Sequence, residues 1–261
     1  MTVQDDIGDI VTFYYPPIKI VSLVPSITEL LIDLGLENEL AGITKYCIFP
    51  EEKVSKLNKI GGTKNPDLQK IIDLKPDLVI ANKEENQKEH IEFLRASNIP
   101  VYVTYIDDYD SALNMIENIG MITDRKSKAN SITRAIDEKF DNFESQVNVK
   151  KVAYMIWKQP YMTIGKNTFI NSMLTKIGFE NVFENYEGNY PVITQDDIIK
   201  SETEFIFLST EPYKFSEKHI HQFQKIKPDA KIVIVEGDKF SWYGSRMLLA
   251  ADYFQNLVKT L

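Results

Sequence analysis

The chain has 261 residues, 43% hydrophobic and 26% charged, a composition suited to a soluble globular fold with room for two cores. A net charge of -8, with no local lysine/arginine cluster to offset it, would repel a phosphate backbone, so nucleic acid is excluded as a partner. Its one cysteine, Cys47, cannot close an internal disulfide and says nothing of an oxidising compartment.

The first stretch, "MTVQDDIGDIVTFYYPPIKIV", carries three aspartates before its first basic residue, Lys19. It lacks the positive start and apolar run of a signal peptide, and no apolar run anywhere is long enough to span a bilayer. As written, a cytoplasmic protein is expected; a trimmed signal would instead make it periplasmic or cell-surface.

"IKIVSLV", rich in β-branched residues, predicts a buried strand. The helix after it is predicted from a capping box, Ser26 with Glu29, from an apolar face of Leu30, Leu31 and Leu34, and from Gly35 at its end. "LAGIT" is the next strand. Asn65 is expected to cap a helix whose first residue is Pro66, with Ile71, Ile72 and Leu74 inward and Lys75-Pro76 as its stop. "DLVIA", a helix over 87–96 and "PVYVT" continue the alternation.

From about Asp108 to Gln146 the pattern is helical, with Ile132, Ile136, Phe140 and Phe143 forming one apolar stripe. Alternation then resumes with strands "KVAYMIW", "EFIFLS" and "KIVIVEG" and helices beginning near Thr168, Thr194 and Ser245, Thr194 and Asp197 again having capping-box spacing. The predicted fold class is α/β: two three-layer lobes with mostly parallel sheets, residues 1–120 and 149–261, bridged by one long helix over 121–148.

Ligands of open α/β sheets sit beyond the carboxyl ends of the strands. The segments there are Pro25-Ser26, "KYCIFP", "GGTKN", "ANKEEN", "YIDDYD", "WKQPYMTIG", "STEPY" and "GDKFSWYGSR". Their aromatics either pack the interior or wall a pocket for a bulky planar ligand. Trp242 with Arg246 favours a pocket, because an arginine can meet anionic groups while the indole stacks.

Cys47 could ligate a soft metal or a cobalt centre, but an unpaired buried cysteine more often packs inertly. His219 and His221 stand two apart in a helical stretch and are expected to face solvent, as is His90. No cluster of histidines and carboxylates suggests a resident metal, and no cofactor is expected. "GKNT" fails as a P-loop, and no nucleophile stands with a base, so a non-catalytic protein is expected.

Taken together, "KIVSLVPSITELLIDLGL", "GGTKNPDLQKIIDLKPDLVIANKEEN" and "FSWYGSRML" resemble the class III, helical-backbone substrate-binding proteins of ABC importers. The resemblance runs from about Ile18 to Phe254 and favours the cobalamin-binding branch, with its ferric-siderophore and haem relatives. It implies a monomer that binds a small-molecule metal chelate between its lobes and passes it to an ABC permease. By position it implies ligand contacts at Ser26, Tyr46, Cys47, Lys64, Asn82, Glu85, Trp157, Tyr161, Tyr190, Phe240, Trp242 and Arg246. Members of the family present one acidic residue per lobe to the permease. Here the first position is Gln69 and the second is Asp196 or Asp197. A cytoplasmic ligand-handling protein or enzyme on the same scaffold is the other reading.

Overall fold

The computed structural model describes residues 1–141, Phe143 and 149–261. Its elements in the first half of the chain are β1 (Thr2–Gln4), β2 (Ile10–Thr12), β3 (Ile20–Ser22), α1 (Pro25–Asp33), β4 (Leu40–Ile43), α2 (Glu51–Val54), α3 (Leu68–Leu74), β5 (Leu78–Asn82), α4 (Lys88–Ala96), β6 (Val101–Thr104), α5 (Tyr109–Ile122) and α6 (Lys126–Asp141). The second half follows with β7 (Lys150–Met155), β8 (Tyr161–Met162), α7 (Phe169–Lys176), β9 (Phe179–Asn181), β10 (Val192–Ile193), α8 (Gln195–Lys200), β11 (Phe205–Ser209), α9 (Glu217–Ile226), β12 (Lys231–Val235), α10 (Gly237–Ser241) and α11 (Met247–Thr260).

Two compact units result. The first comprises Met1–Ile106, Asp110–Ile136 and Tyr243–Met247; the second comprises Asp107–Tyr109, Asp137–Trp242 and Leu248–Leu261. Among the described residues, the first unit is built on a parallel sheet in the order β4-β3-β5-β6 and the second on a parallel sheet in the order β12-β11-β7-β9. The α/β class with parallel sheets therefore holds. Strands such as β5 and β11 are buried along their whole length, which is why they read as unbroken apolar runs.

Local punctuation is obeyed where its partners are near in sequence. Thr168 caps α7 by accepting the Asn171 backbone N–H, and Thr194 with Asp197 forms the expected reciprocal box on α8. Lys75 leaves α3 in the left-handed region ahead of Pro76. Two expected starts are corrected. Gly62 N–H bonds to Asn65 C=O and Asp67 N–H to Ile60 C=O, closing 60–67 into a tight loop, so Asp67 caps α3 instead of Asn65. In α1 no side chain caps the first turn, because the helix begins at Pro25, which puts apolar Val24 at the cap and Ser26 inside the helix, while Glu29 is buried.

The predicted single long helix is corrected as well. The chain turns between α5 and α6 at Asp124 (φ 59°), where Arg125 N–H bonds back to Gly120 C=O at 2.7 Å. A Cβ on Gly120 would lie 2.2 Å from that of Ala129, so the missing side chain lets α6 pack directly on α5. Ile136 and Phe140 of the expected stripe are buried. The last part of the predicted helix, over 144–148, lies outside the described residues.

The acidic start of the chain forms a β1/β2 hairpin that closes the edge of the first sheet. Outward-facing groups of β6 and its end each find a partner: Val101 C=O accepts from Arg95, Val103 N–H donates to Asp5, and Tyr105 N–H donates to Asp6. Asp6 N–H in turn bonds Val103 C=O at 3.1 Å. The Asp5 carboxylate is fully buried, accepts the N–H groups of Ile7 and Asp9, and pairs with Arg95 at 2.8 Å. Burial raises the Asp6 carboxyl above its ordinary value, opposed by its bonds from Tyr105 and Tyr102. Replacing Asp5 by Ala should cost about 2–3 kcal/mol, since it removes the acceptor of several N–H groups at once and leaves Arg95 only Asp9 and the Val101 carbonyl. Urea unfolding of the variant would show this as a lowered midpoint at unchanged slope.

Candidate functional site

In the first unit the carboxyl ends of β3, β4 and β5 carry the loops singled out in the sequence, and burial sorts their residues. Asn82 and Asn86 build the turn after β5. Asn82 Oδ1 accepts the N–H groups of Glu84 and Glu85, while Asn86 Oδ1 accepts Asn82 N–H and its amide reaches Leu23 and Thr63 carbonyls. Asn82 is thus a buried turn residue, not a ligand contact. Lys64 is exposed and donates to Glu84 C=O, which ties the "GGTKN" loop to this turn. Glu85 is solvent-accessible, yet the protein around it raises its carboxyl above the ordinary value, with the Lys64 charge pulling the other way.

The loop after β4 divides in the same manner. Tyr46 (53% exposed) and Ile48 stand outward, and Phe49 is partly exposed. Cys47 between them is buried, its sulfur 3.1 Å from Thr28 Oγ1 and 3.3 Å from Thr44 Oγ1. Burial raises its thiol, in line with the inert packing expected of an unpaired cysteine, and the ligand contact implied by the family resemblance is corrected. Ser26, in the first turn of α1, is also buried.

Arg246 is the largest correction. It is 4% exposed, and its guanidinium grips Glu29 through Nε at 2.8 Å and Nη2 at 2.6 Å. The ring of Phe49 lies 4.2 Å from its Cζ. Glu29 read as half of a capping box; its actual partner lies too far along the chain to be seen locally. Removing one charge strands the other, so Arg246→Ala should destabilise the protein by about 3–5 kcal/mol. Joint replacement Glu29→Leu with Arg246→Met should recover much of that loss in a thermal-unfolding double-mutant cycle.

In the second unit the indoles are the exposed features. Trp157, 38% exposed after β7, donates from Nε1 to Gln159 C=O and meets Tyr213 edge-on at 5.5 Å between ring centroids. Trp242 is half-buried, and its Nε1 donates to Glu211 Oε2 at 3.2 Å. Glu211 is placed by Ser209, whose Oγ bonds both its N–H and its C=O, and which also receives the Tyr154 hydroxyl. The loop packs so closely that a Cβ on Gly237 would lie 2.5 Å from Ser209 Oγ. Tyr190 is exposed. Tyr161 is half-buried and edges onto Phe223 at 5.5 Å, against the core cluster of this unit. Phe240 is wholly buried among Tyr154, Phe207 and Phe254, and so is core and no ligand contact.

Glu211 and Tyr213, which hold the two indoles, were not singled out in the sequence, although "STEPY" was among the strand-end loops. The burial of Cys47 has a direct check. A thiol reagent at mildly alkaline pH should leave it unmodified in the native protein and react promptly once denaturant is added.

The sequence pattern describing the periplasmic binding protein family matches residues 20–225. A vitamin B12-binding protein of Photorhabdus laumondii is 25% identical over 246 residues, covering 92% of this chain and 88% of that protein. An uncharacterized ABC transporter substrate-binding lipoprotein of Bacillus subtilis is 29% identical over 210 residues, covering 77% and 66%. The periplasmic vitamin B12 binding protein of Vibrio cholerae shares the fold with a TM-score of 0.81 at 20% identity, covering 94% of this chain and 98% of that one. These matches overturn the expected cytoplasmic location, since the family is described as periplasmic and the Bacillus relative as a lipoprotein.

Proposed function

Because this chain belongs to the periplasmic binding protein family, we propose that it is an extracytoplasmic, non-catalytic binding protein for a corrinoid, working with the permease of an ABC importer. The observation that carries the reading is the pair of solvent-accessible indoles, Trp157 after β7 and Trp242 at the end of α10, each pinned by a residue of the loop after β11. Fixed aromatic faces bind a large, half-polar ring system with little loss of side-chain entropy. The relatives named as vitamin B12-binding proteins support the ligand class.

Of the contacts implied by the family resemblance, Tyr46, Lys64, Glu85, Trp157, Tyr161, Tyr190 and Trp242 remain available at the surface. Trp157 and Trp242 supply stacking area, Lys64 meets carbonyl or phosphate oxygens, and the tyrosines offer a ring with a polar tip. For permease docking, Asp197 is engaged with the Thr194 cap of α8 and accepts Tyr186 Oη, which leaves exposed Asp196 as the acidic candidate of the second unit. In the first unit Gln69 donates to Asp73 at 2.9 Å, so that surface still carries a carboxylate one turn along α3.

A ferric chelate, haem or siderophore, is the second reading. It is favoured by the exposed phenols of Tyr46 and Tyr190, which are iron ligands by chemistry. Cyanocobalamin should quench the tryptophan emission saturably, and Trp157→Ala should weaken its binding roughly tenfold. Absence of quenching at high micromolar cyanocobalamin, with a Soret shift on adding haemin, would transfer the assignment to the iron chelate.

A further inference from the structure

The H-x-H pair of α9 does not behave as two surface histidines. His221 is exposed, but His219 is only 1% exposed. It occupies the third helical position of α9, the place a glutamate or glutamine takes in a capping box, and its Nδ1 accepts the Ser216 backbone N–H at 2.9 Å. An accepting Nδ1 places the ring proton of the neutral imidazole on Nε2, which lies 3.2 Å from Tyr213 Oη. The ring also stands edge-on to Tyr213 at 5.5 Å and to Phe215 at 5.3 Å. Tyr213 is the side chain against which Trp157 rests. A buried imidazole therefore stands one ring away from the exposed indole.

We infer that His219 is a positioning residue for the Trp157 wall, which it holds in place only while its imidazole is neutral. A second ring proton would put an N–H on Nδ1 facing the Ser216 N–H. With two donors opposed, the ring must turn until Nδ1–H meets the Ser216 carbonyl or Oγ, each 3.2 Å away, and Tyr213 loses its footing as the imidazole shifts. The surroundings resist that proton. Burial comes first, followed by the charge of Lys158 on the loop after β7 and of Lys218 on the helix itself, while the Ser216 carbonyl acts the other way. The Tyr213 phenol also lies against the ring. The folded pKa thus lies below the unfolded value of ~6.5. The arrangement is fully stable above that pH and loses stability as pH falls toward the folded value. The consequence for ligand affinity rests on Trp157 being part of the binding surface; the positioning itself does not.

The test isolates Trp157 as the one indole in full-length Trp242→Phe protein without ligand, and follows its emission from neutral to mildly acidic pH with far-UV circular dichroism alongside. The expected result is an emission step centred below ~6.5 with unchanged ellipticity. The step should be absent in Trp242→Phe/His219→Gln, where glutamine keeps the capping box but cannot titrate. A step that survives His219→Gln, the lack of any step in the His219 parent, or a step that tracks loss of helix would each overturn the inference. With cyanocobalamin as probe, Kd of the unmodified protein should rise roughly two- to tenfold across the same range and stay flat in His219→Gln. If cyanocobalamin fails to bind at any pH while the emission step is present, the ligand assignment falls and the role of His219 stands.

Discussion

A carboxylate and a guanidinium 217 residues apart in the chain, Glu29 and Arg246, share the interior of the first unit. Removing both from water costs several kcal/mol per ion, which only a two-pronged geometry with further support can offset. Here both prongs are short and the Phe49 ring lies against the guanidinium. The pair fixes Tyr243–Met247 onto a unit otherwise made from the first 136 residues. That unit therefore cannot be completed until nearly the whole chain has been made, which places its last contact among the most non-local of the fold.

The second unit gathers its placement in one loop. Glu211 orients Trp242 and Tyr213 supports Trp157, and both belong to the segment leaving β11. Gly237 admits that segment by leaving no Cβ in its way. One short stretch thus governs the two largest surface rings, so their positions are correlated even though they are 85 residues apart in sequence.

The alternation of apolar strands with punctuated helices was legible because caps such as Thr168 and Thr194 act on residues three positions away. The family resemblance supplied the strand-end loops, but not which side chain in each loop faces outward. Tyr46 and Cys47 are neighbours with opposite fates, decided by Thr28 and Thr44 around the sulfur. The turn at Asp124 brings Gly120 against Ala129, a packing contact that an apolar stripe does not reveal, and the inward Glu29 depends on Arg246, 217 residues away. His219 was misread for a similar reason. Two-residue spacing on a helix does separate the pair onto different faces, but it cannot say which face is covered.

The hairpin at the chain's start satisfies the outer rung of β6 with two aspartates and an arginine, not with another strand. An edge whose last rung is spent on carboxylates offers no template on which a neighbouring molecule could add its own strand. That closure keeps the β6 edge from recruiting a strand of a second copy, the first step by which edge-to-edge stacks grow into filaments.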